Sequence, residues 1–310
     1  MTSGNEWVLP AGSTGRDGWD TVVAADPRGW QHTGLRIATL TAGGTMTVPA
    51  GDWEYVVVPL AGAVRVVATD ADGERHTADL AGRASVFAGP TDVAYAPSGA
   101  ALELTGTAPA SRIAVCAARA AEPAGSKFRH LPVADVPVEL RGAGIASREV
   151  RNFGIPGVLD ADAIIACEVI TPAGNWSSYP PHKHDEEREG LETELEEIYY
   201  FETQVEGAMA GAPIPPGADP VGYQRVYGTD ERPIDVFAEV RSGDVVLVPH
   251  GWHGPAMAAP GYDLYYLNVM AGPGPTRAWL ICDDPRHGWV RDTWAGQPMD
   301  PRLPLGGSQR

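Results

Sequence analysis

The chain has 310 residues, 44% of them hydrophobic and 20% charged, ordinary globular proportions at a length that favours two domains. A formal net charge of −17 argues against nucleic acid as a partner, since phosphate binding needs clustered Lys and Arg. No run approaches eighteen uninterrupted apolar residues, so no membrane span is expected.

The opening Met1-Thr2-Ser3-Gly4-Asn5-Glu6 lacks the basic and apolar regions of a secretory leader. Cys116, Cys167 and Cys282 are far apart and sit in largely apolar contexts, as small buried hydrophobes in a reducing compartment do. A cytoplasmic location is therefore expected. From residue 34 to 118, short runs rich in β-branched residues follow one another at 34–40, 54–60 and 63–69. Asp70-Ala71-Asp72-Gly73 and Pro97-Ser98-Gly99 supply turns between later runs. Residues 119–144 are richer in Pro, Ala and charge and read as a crossover. A second series follows at 163–170, 197–201, 235–240, 244–249 and 262–269, and the tail after Trp279 reads as loop with a short helix at best. The expected fold is all-β, with two antiparallel barrels or sandwiches in tandem over residues 1–135 and 136–310.

Four of the 8 histidines fall in two clusters in the second half. In Tyr179-Pro180-Pro181-His182-Lys183-His184 the spacing is i, i+2, which on a strand puts both imidazoles on one face and Lys183 on the other. Imidazoles converging on a concave interior suit one divalent ion, Zn or Mn first and Fe or Ni next. The second cluster, Val248-Pro249-His250-Gly251-Trp252-His253-Gly254, ends a buried strand in a turn and leaves His250 and His253 as alternatives, His253 being preferred. In the first half His32, His76 and, in the crossover, His130 stand alone, so that domain is expected to lack metal and to serve packing or assembly, which leaves a homo-oligomer open.

Together these clusters resemble the two motifs of the cupin superfamily, in which HxH and a glutamate come from one motif and a further histidine from a later strand; the expected fold is thus a bicupin, two jelly-roll barrels in tandem. The usual motif spacing points to Glu189 as the carboxylate ligand. Glu197, which opens the strand Glu197-Ile198-Tyr199-Tyr200-Phe201, is preferred because a strand holds a ligand better than a charged loop. A narrower resemblance is carried by the string from Asn175 to Asp185, by Leu195-Glu196-Glu197-Ile198-Tyr199-Tyr200, by Gln224-Arg225-Val226-Tyr227 and by Cys282-Asp283-Asp284-Pro285. These are similar to the 5-deoxy-glucuronate isomerase family of bacterial myo-inositol catabolism. That family is in turn similar to the uronate isomerases acting on 5-keto-4-deoxyuronate, whose motif glutamate also opens an aromatic strand.

The resemblance implies an isomerase that moves a carbonyl from C1 to C2 of a sugar acid, with one divalent ion held by His182, His184, Glu197 and His253. Candidates for the proton transfer are His250, Tyr199, Tyr200 and glutamates such as Glu196. Arg148 and Arg225 are the candidates for the substrate carboxylate, while Lys183 faces away and is structural. The same four ligands would also serve a non-haem iron dioxygenase or a non-catalytic sugar-binding module, since fold alone does not fix chemistry.

Overall fold

The computed structural model describes residues 6–26, 28–120 and 125–306. Among them the first half holds β1 (Val8–Leu9), β2 (Thr21–Val23), β3 (Thr33–Thr41), β4 (Thr45–Val48) and β5 (Trp53–Thr69). It continues with β6 (Arg75–Arg83), β7 (Val93–Ala96), β8 (Ala101–Gly106), β9 (Ala110–Arg119) and β10 (Arg129–Leu131). The second half begins with β11 (Val138–Arg141), β12 (Arg148–Gly154), β13 (Ile165–Thr171), β14 (Trp176–Ser177), β15 (His182–Lys183) and β16 (Glu196–Val205). It ends with β17 (Gly222–Tyr227), β18 (Asp235–Val240), β19 (Val245–Val248), β20 (Trp252–Ala258), β21 (Tyr262–Ala271) and β22 (Cys282–Asp283).

Residues 54–60 and 63–69, expected as two strands, are one 17-residue strand, β5. Its first part pairs with β7 and β9, its second with β6 and β8, and the register shifts between Pro59 and Val64. Pro59 has no N–H for the ladder and Gly62 takes φ +74°, so the strand bends there from one sheet into the other instead of breaking. The bend is tightly covered: a Cβ on Gly82 would lie 1.8 Å from the Gly62 carbonyl oxygen. Both sheets close over an apolar interior that includes Val57, Val64, Val66, Leu80, Leu104 and Ile113.

In the second half β1, β19, β16, β21, β13, β12 and β11 form one antiparallel sheet, which faces a smaller one of β18, β17, β20, β15 and β22, with β14 beside β20. The pairing changes halves between β10, which joins β7, and β11, which joins β12. One segment crosses over: Val8 and Leu9 pair with Val246 and Val245, so by hydrogen bonding these two residues belong to the second half rather than to the first, where the sequence reading put them. Among the described residues the longest helical segment is the 3-10 turn Gly288–Trp294, and no helix is long and apolar enough to cross a membrane.

Strand β16 lies inside the seven-stranded sheet, between β19 and β21, and separates two cores. Tyr199 and Phe201 face the barrel interior, while Ile198 and Tyr200 face a core shared between the halves with Ile37, Val58, Leu247 and Tyr265. Polar contacts lock that shared core. Glu54 accepts from the backbone of Ala163 and Ile164 at 2.6 and 2.5 Å, and Arg83 makes two 2.7 Å bonds to Glu168, whose side chain is fully buried.

Candidate metal centre

Pairing puts the two histidine clusters together. His182 on β15 is the direct cross-strand partner of His253 on β20, with ring centroids 4.5 Å apart. The His184 and His253 rings are 4.6 Å apart, and Glu197 Oε2 lies 3.2 Å from His184 Nε2 and 3.1 Å from His253 Nε2. The ligand atoms of His184, Glu197 and His253 all lie within 4.8 Å of one another. Each ring also has its Nδ1 at a backbone carbonyl: His182 at Pro180, His184 at Leu195 and His253 at Gly251, at 3.4, 3.2 and 3.2 Å. Donation from Nδ1 leaves the Nε2 lone pair for the centre, the arrangement that orients metal-bound imidazoles. His184, Glu197 and His253 therefore fit a divalent ion, and the His182 ring packs against His253 beside them, outside that tight group.

The electrostatics of these groups differ from residue to residue. Burial, then the neighbouring His253 and His184, holds His182 well below the usual imidazole range, so it is neutral. Burial opposes the charge on Glu197, yet His184 and His253 outweigh it and hold the carboxyl at about 2. Burial likewise opposes a proton on His184, and Glu197 more than offsets it.

A surface excursion explains the long interval between the HxH and the glutamate. The chain leaves at His184 and returns at Leu195, whose N–H bonds the His184 carbonyl at 2.8 Å; between them an Arg188–Glu192 bridge pins the loop. Glu189 is exposed on that loop, so motif spacing counted residues that never enter the barrel. Asp185 ties the two motifs together. Its carboxylate accepts Lys183 Nζ at 2.6 Å, the Gly251 N–H at 2.8 Å and Arg232 at 3.0 Å. A looser group, Asp70, Glu74 and His76, lies at a first-half turn. Its geometry follows from Asp70 accepting the Asp72 and Glu74 N–H groups and pairing with His76 at 3.1 Å.

The ligand cluster opens into a cavity of about 440 Å³. His182, Glu197 and Tyr199 line one end, and Arg148, Arg141 and Arg291 stand at the other with Trp279 and Trp294. Along the wall the Ser178 hydroxyl bridges those of Tyr199 and Tyr266, at 3.2 and 3.1 Å. Ser178 takes φ +47°, and a Cβ on Gly254 would lie 1.8 Å from its carbonyl oxygen, so the glycine after His253 admits the turn that carries this serine. Arg141 pairs with Glu139 at 2.8 Å and Arg291 with Asp283 at 2.7 Å. Arg148 differs from both: it is buried, donates to the Ala146 carbonyl and lies over Trp294, and among the described residues no carboxylate pairs with it. Burial, and after it the like charges of Arg141 and Arg291, lowers its guanidinium to about 10, against the pull of Tyr266.

Four expected site residues are not brought to this cavity. Tyr200 points by strand parity into the shared core, where it bonds Arg112 and Glu202. Glu196 points the same way and accepts the N–H groups of Gln31, His32 and Thr33. His250 sits on the outer side of its turn, with Arg232 and Asp185 as charged neighbours; burial first, then Arg232, lowers its pKa. Arg225 alternates outward between inward Gln224 and Val226 and is held by Asp235 and the Val236 carbonyl. Ser178, Tyr266, Arg141 and Trp279 had not been singled out. For Tyr266 the signal was strand parity, readable only with the register of β21 against β16; Ser178 and Trp279 lie outside the strands and carry no such signal.

Known proteins show the same architecture. The KduI/IolB family model matches residues 8–290. A 5-deoxy-glucuronate isomerase of Geobacillus kaustophilus is 38% identical over 92% of this chain and 95% of its own length. The crystal structure of an IolB-like protein from Salmonella typhimurium superposes with a TM-score of 0.78 at 33% identity, over 92% of this chain and 99% of that one. Bacillus subtilis oxalate decarboxylase superposes with a TM-score of 0.60 at 10% identity, over 91% of this chain and 80% of that one, a likeness of fold alone: two cupin barrels in tandem.

Proposed function

The chain belongs to the KduI/IolB family, and from that membership we propose an aldose–ketose isomerase of myo-inositol degradation. It converts 5-deoxy-glucuronate to its 2-keto isomer, 5-dehydro-2-deoxy-gluconate. The observation that carries this reading is the two-ended cavity, with a ligand cluster for a divalent ion at one end and an uncompensated guanidinium at the other.

The reaction removes a proton from C2 and delivers one to C1 through an enediol of the sugar. A divalent ion held by His182, His184, Glu197 and His253, which we read as Zn or Mn, would supply a Lewis acid for the oxygens on C1 and C2. Arg148 offers the C6 carboxylate a planar pair of N–H donors, and sequestration from water strengthens that contact. Burial, then the charge of Glu197, pushes the Tyr199 phenol well above its usual pKa, so it stays protonated. A neutral phenol at the ligand end is a hydrogen-bond donor for the oxygen on which charge builds. The Ser178 hydroxyl between Tyr199 and Tyr266 fixes where both phenols point.

Metal-replete protein incubated with 5-deoxy-glucuronate should convert the C1 aldehyde and hydrate carbon signals into a C2 ketone signal by NMR. Unchanged substrate beside protein with full metal content would reject the assignment.

A further inference from the structure

Between its two charged ends the cavity is lined by Asn268 and Tyr266 on β21 and, nearer the guanidinium, by an apolar stretch. Val150 on β12 and Val169 on β13 are opposed Cα partners, both line the cavity, and both are nearly closed to solvent, at 2% and 5% exposure. The ladder fixes their place along the floor. Val169 is opposite Tyr266 on β21, and β21 pairs with β16, which carries Glu197 and Tyr199. Arg148 stands two residues before Val150 on the same face of β12. From β16 to β12 is three strand spacings, about 14 Å across the sheet, and the registers add an offset along it: Glu197 shares a row with Met270 and Ile165, whereas Arg148 comes one residue before Glu149, the partner of Ile170. The valines occupy the part of that span next to the guanidinium.

An extended six-carbon chain measures about 6 Å from C1 to C6. Glu197 and Arg148 line the same cavity of about 440 Å³, so their side chains close part of the backbone separation and a six-carbon acid fits in the space between them. With C1 and C2 at the ligand cluster and the C6 carboxylate at Arg148, C5 falls against the valines. C5 is the carbon that bears two hydrogens in 5-deoxy-glucuronate and a hydroxyl in glucuronate. Isopropyl groups neither donate nor accept hydrogen bonds, so a hydroxyl pressed against them gives up water and gains nothing in return. We propose that Val150 and Val169 are specificity-determining residues that favour sugar acids without a C5 hydroxyl, an inference that rests on the isomerase reading above. An apolar wall rejects an added hydroxyl by roughly a hundredfold at most, which sets the scale of the preference.

The test compares kcat/KM for 5-deoxy-glucuronate and glucuronate in wild type, Val150→Thr and Val169→Thr, with metal content measured on each. Glucuronate closes a pyranose ring through O5 and the deoxy acid cannot, so the raw ratio mixes ring opening with recognition. The change in ratio between wild type and variant cancels that contribution. At least one threonine variant should narrow the preference about tenfold, through a gain on glucuronate. Ratios unchanged in both variants, even if both are slowed, would overturn the proposal. Inhibition of wild type by the borohydride-reduced acids, which form no hemiacetal ring, checks the same contact without mutation. The 5-deoxy form should bind about tenfold tighter, and equal inhibition would overturn the proposal even if neither variant folds. Wild type that leaves 5-deoxy-glucuronate unchanged would instead reject the isomerase reading itself.

Discussion

Glu196 and Glu197 are neighbours on one strand, and their carboxylates serve opposite faces of its sheet. Glu196 accepts three backbone N–H groups from residues 31–33 at 2.6–3.1 Å, while Glu197 stands 3.1–3.2 Å from the Nε2 atoms of His253 and His184. The strand that ends the metal cluster is therefore also the strand that grips the first half. Ligand geometry and domain docking share one backbone.

The two glutamates that sequence spacing left in competition separate cleanly by mutation. Glu197→Gln should lose most of its metal, and turnover should fall at least roughly a hundredfold, because it removes the carboxylate donor. Glu189→Gln changes one exposed charge and should stay within about threefold of wild type. Metal analysis and rates on the same samples decide this, and the reverse ranking would move the ligand to the loop.

Arg148→Met should retain metal yet lower kcat/KM for the sugar acid by roughly a hundredfold, the scale of a lost charge-assisted hydrogen bond at 1.5–3 kcal/mol. Arg225→Met, on the outer face, should stay within about twofold. Comparable losses in both would place the carboxylate elsewhere.

Asp185 acts on the centre only through the segments it joins. Asp185→Ala should weaken metal affinity by about ten- to a hundredfold, as expected for groups that orient ligands, and Asp185→Asn should recover part of it. Titration of apo protein with Zn reads this directly, and an unchanged affinity in the alanine variant would make Asp185 a surface tether only.

The buried Glu168 predicts a pH dependence. Burial opposes its charge, but Arg83 and then Arg151 outweigh burial and hold the folded carboxyl below its usual value. A depressed folded pKa gives stability that is present above the unfolded value of about 4.3 and lost as pH falls through the folded one. Glu168→Gln should cost about 3–5 kcal/mol at neutral pH, since it leaves the buried Arg83 guanidinium without its carboxylate. In denaturant melts the gap to wild type should narrow as pH drops below about 4.3. A gap constant with pH would show that the ion pair does not carry the difference.

The all-β class and the strand series were legible because alternation and β-branched runs are local properties. The HxH spacing, the later histidine and the aromatic strand opened by Glu197 were legible for the same reason. What the sequence could not convey was which way each strand faced once paired. Tyr199 and Tyr200 are indistinguishable as letters, and only the register of β16 against β21 sends one to the cavity and the other to the shared core. Arg225 and Arg148 both lie on strands, yet Arg225 has a carboxylate partner in Asp235, the first residue of the next strand, and among the described residues Arg148 has none. The valine floor was invisible for a further reason: an apolar residue facing a substrate and one facing the core are written with the same symbol.

The pairing of Val8 and Leu9 with β19 has a consequence for how the chain is made. Their partners, Val246 and Val245, are synthesised more than two hundred residues after them. The first barrel can fold in the meantime, since domains close as they emerge, with its leading segment left waiting. Until that segment docks, β19 presents an open edge beside the strand that carries Glu197, the kind of edge that recruits other chains. Substitutions that unseat Val8 and Leu9 should therefore disturb the distant barrel first, appearing as aggregation and poor metal loading while the adjacent barrel remains intact.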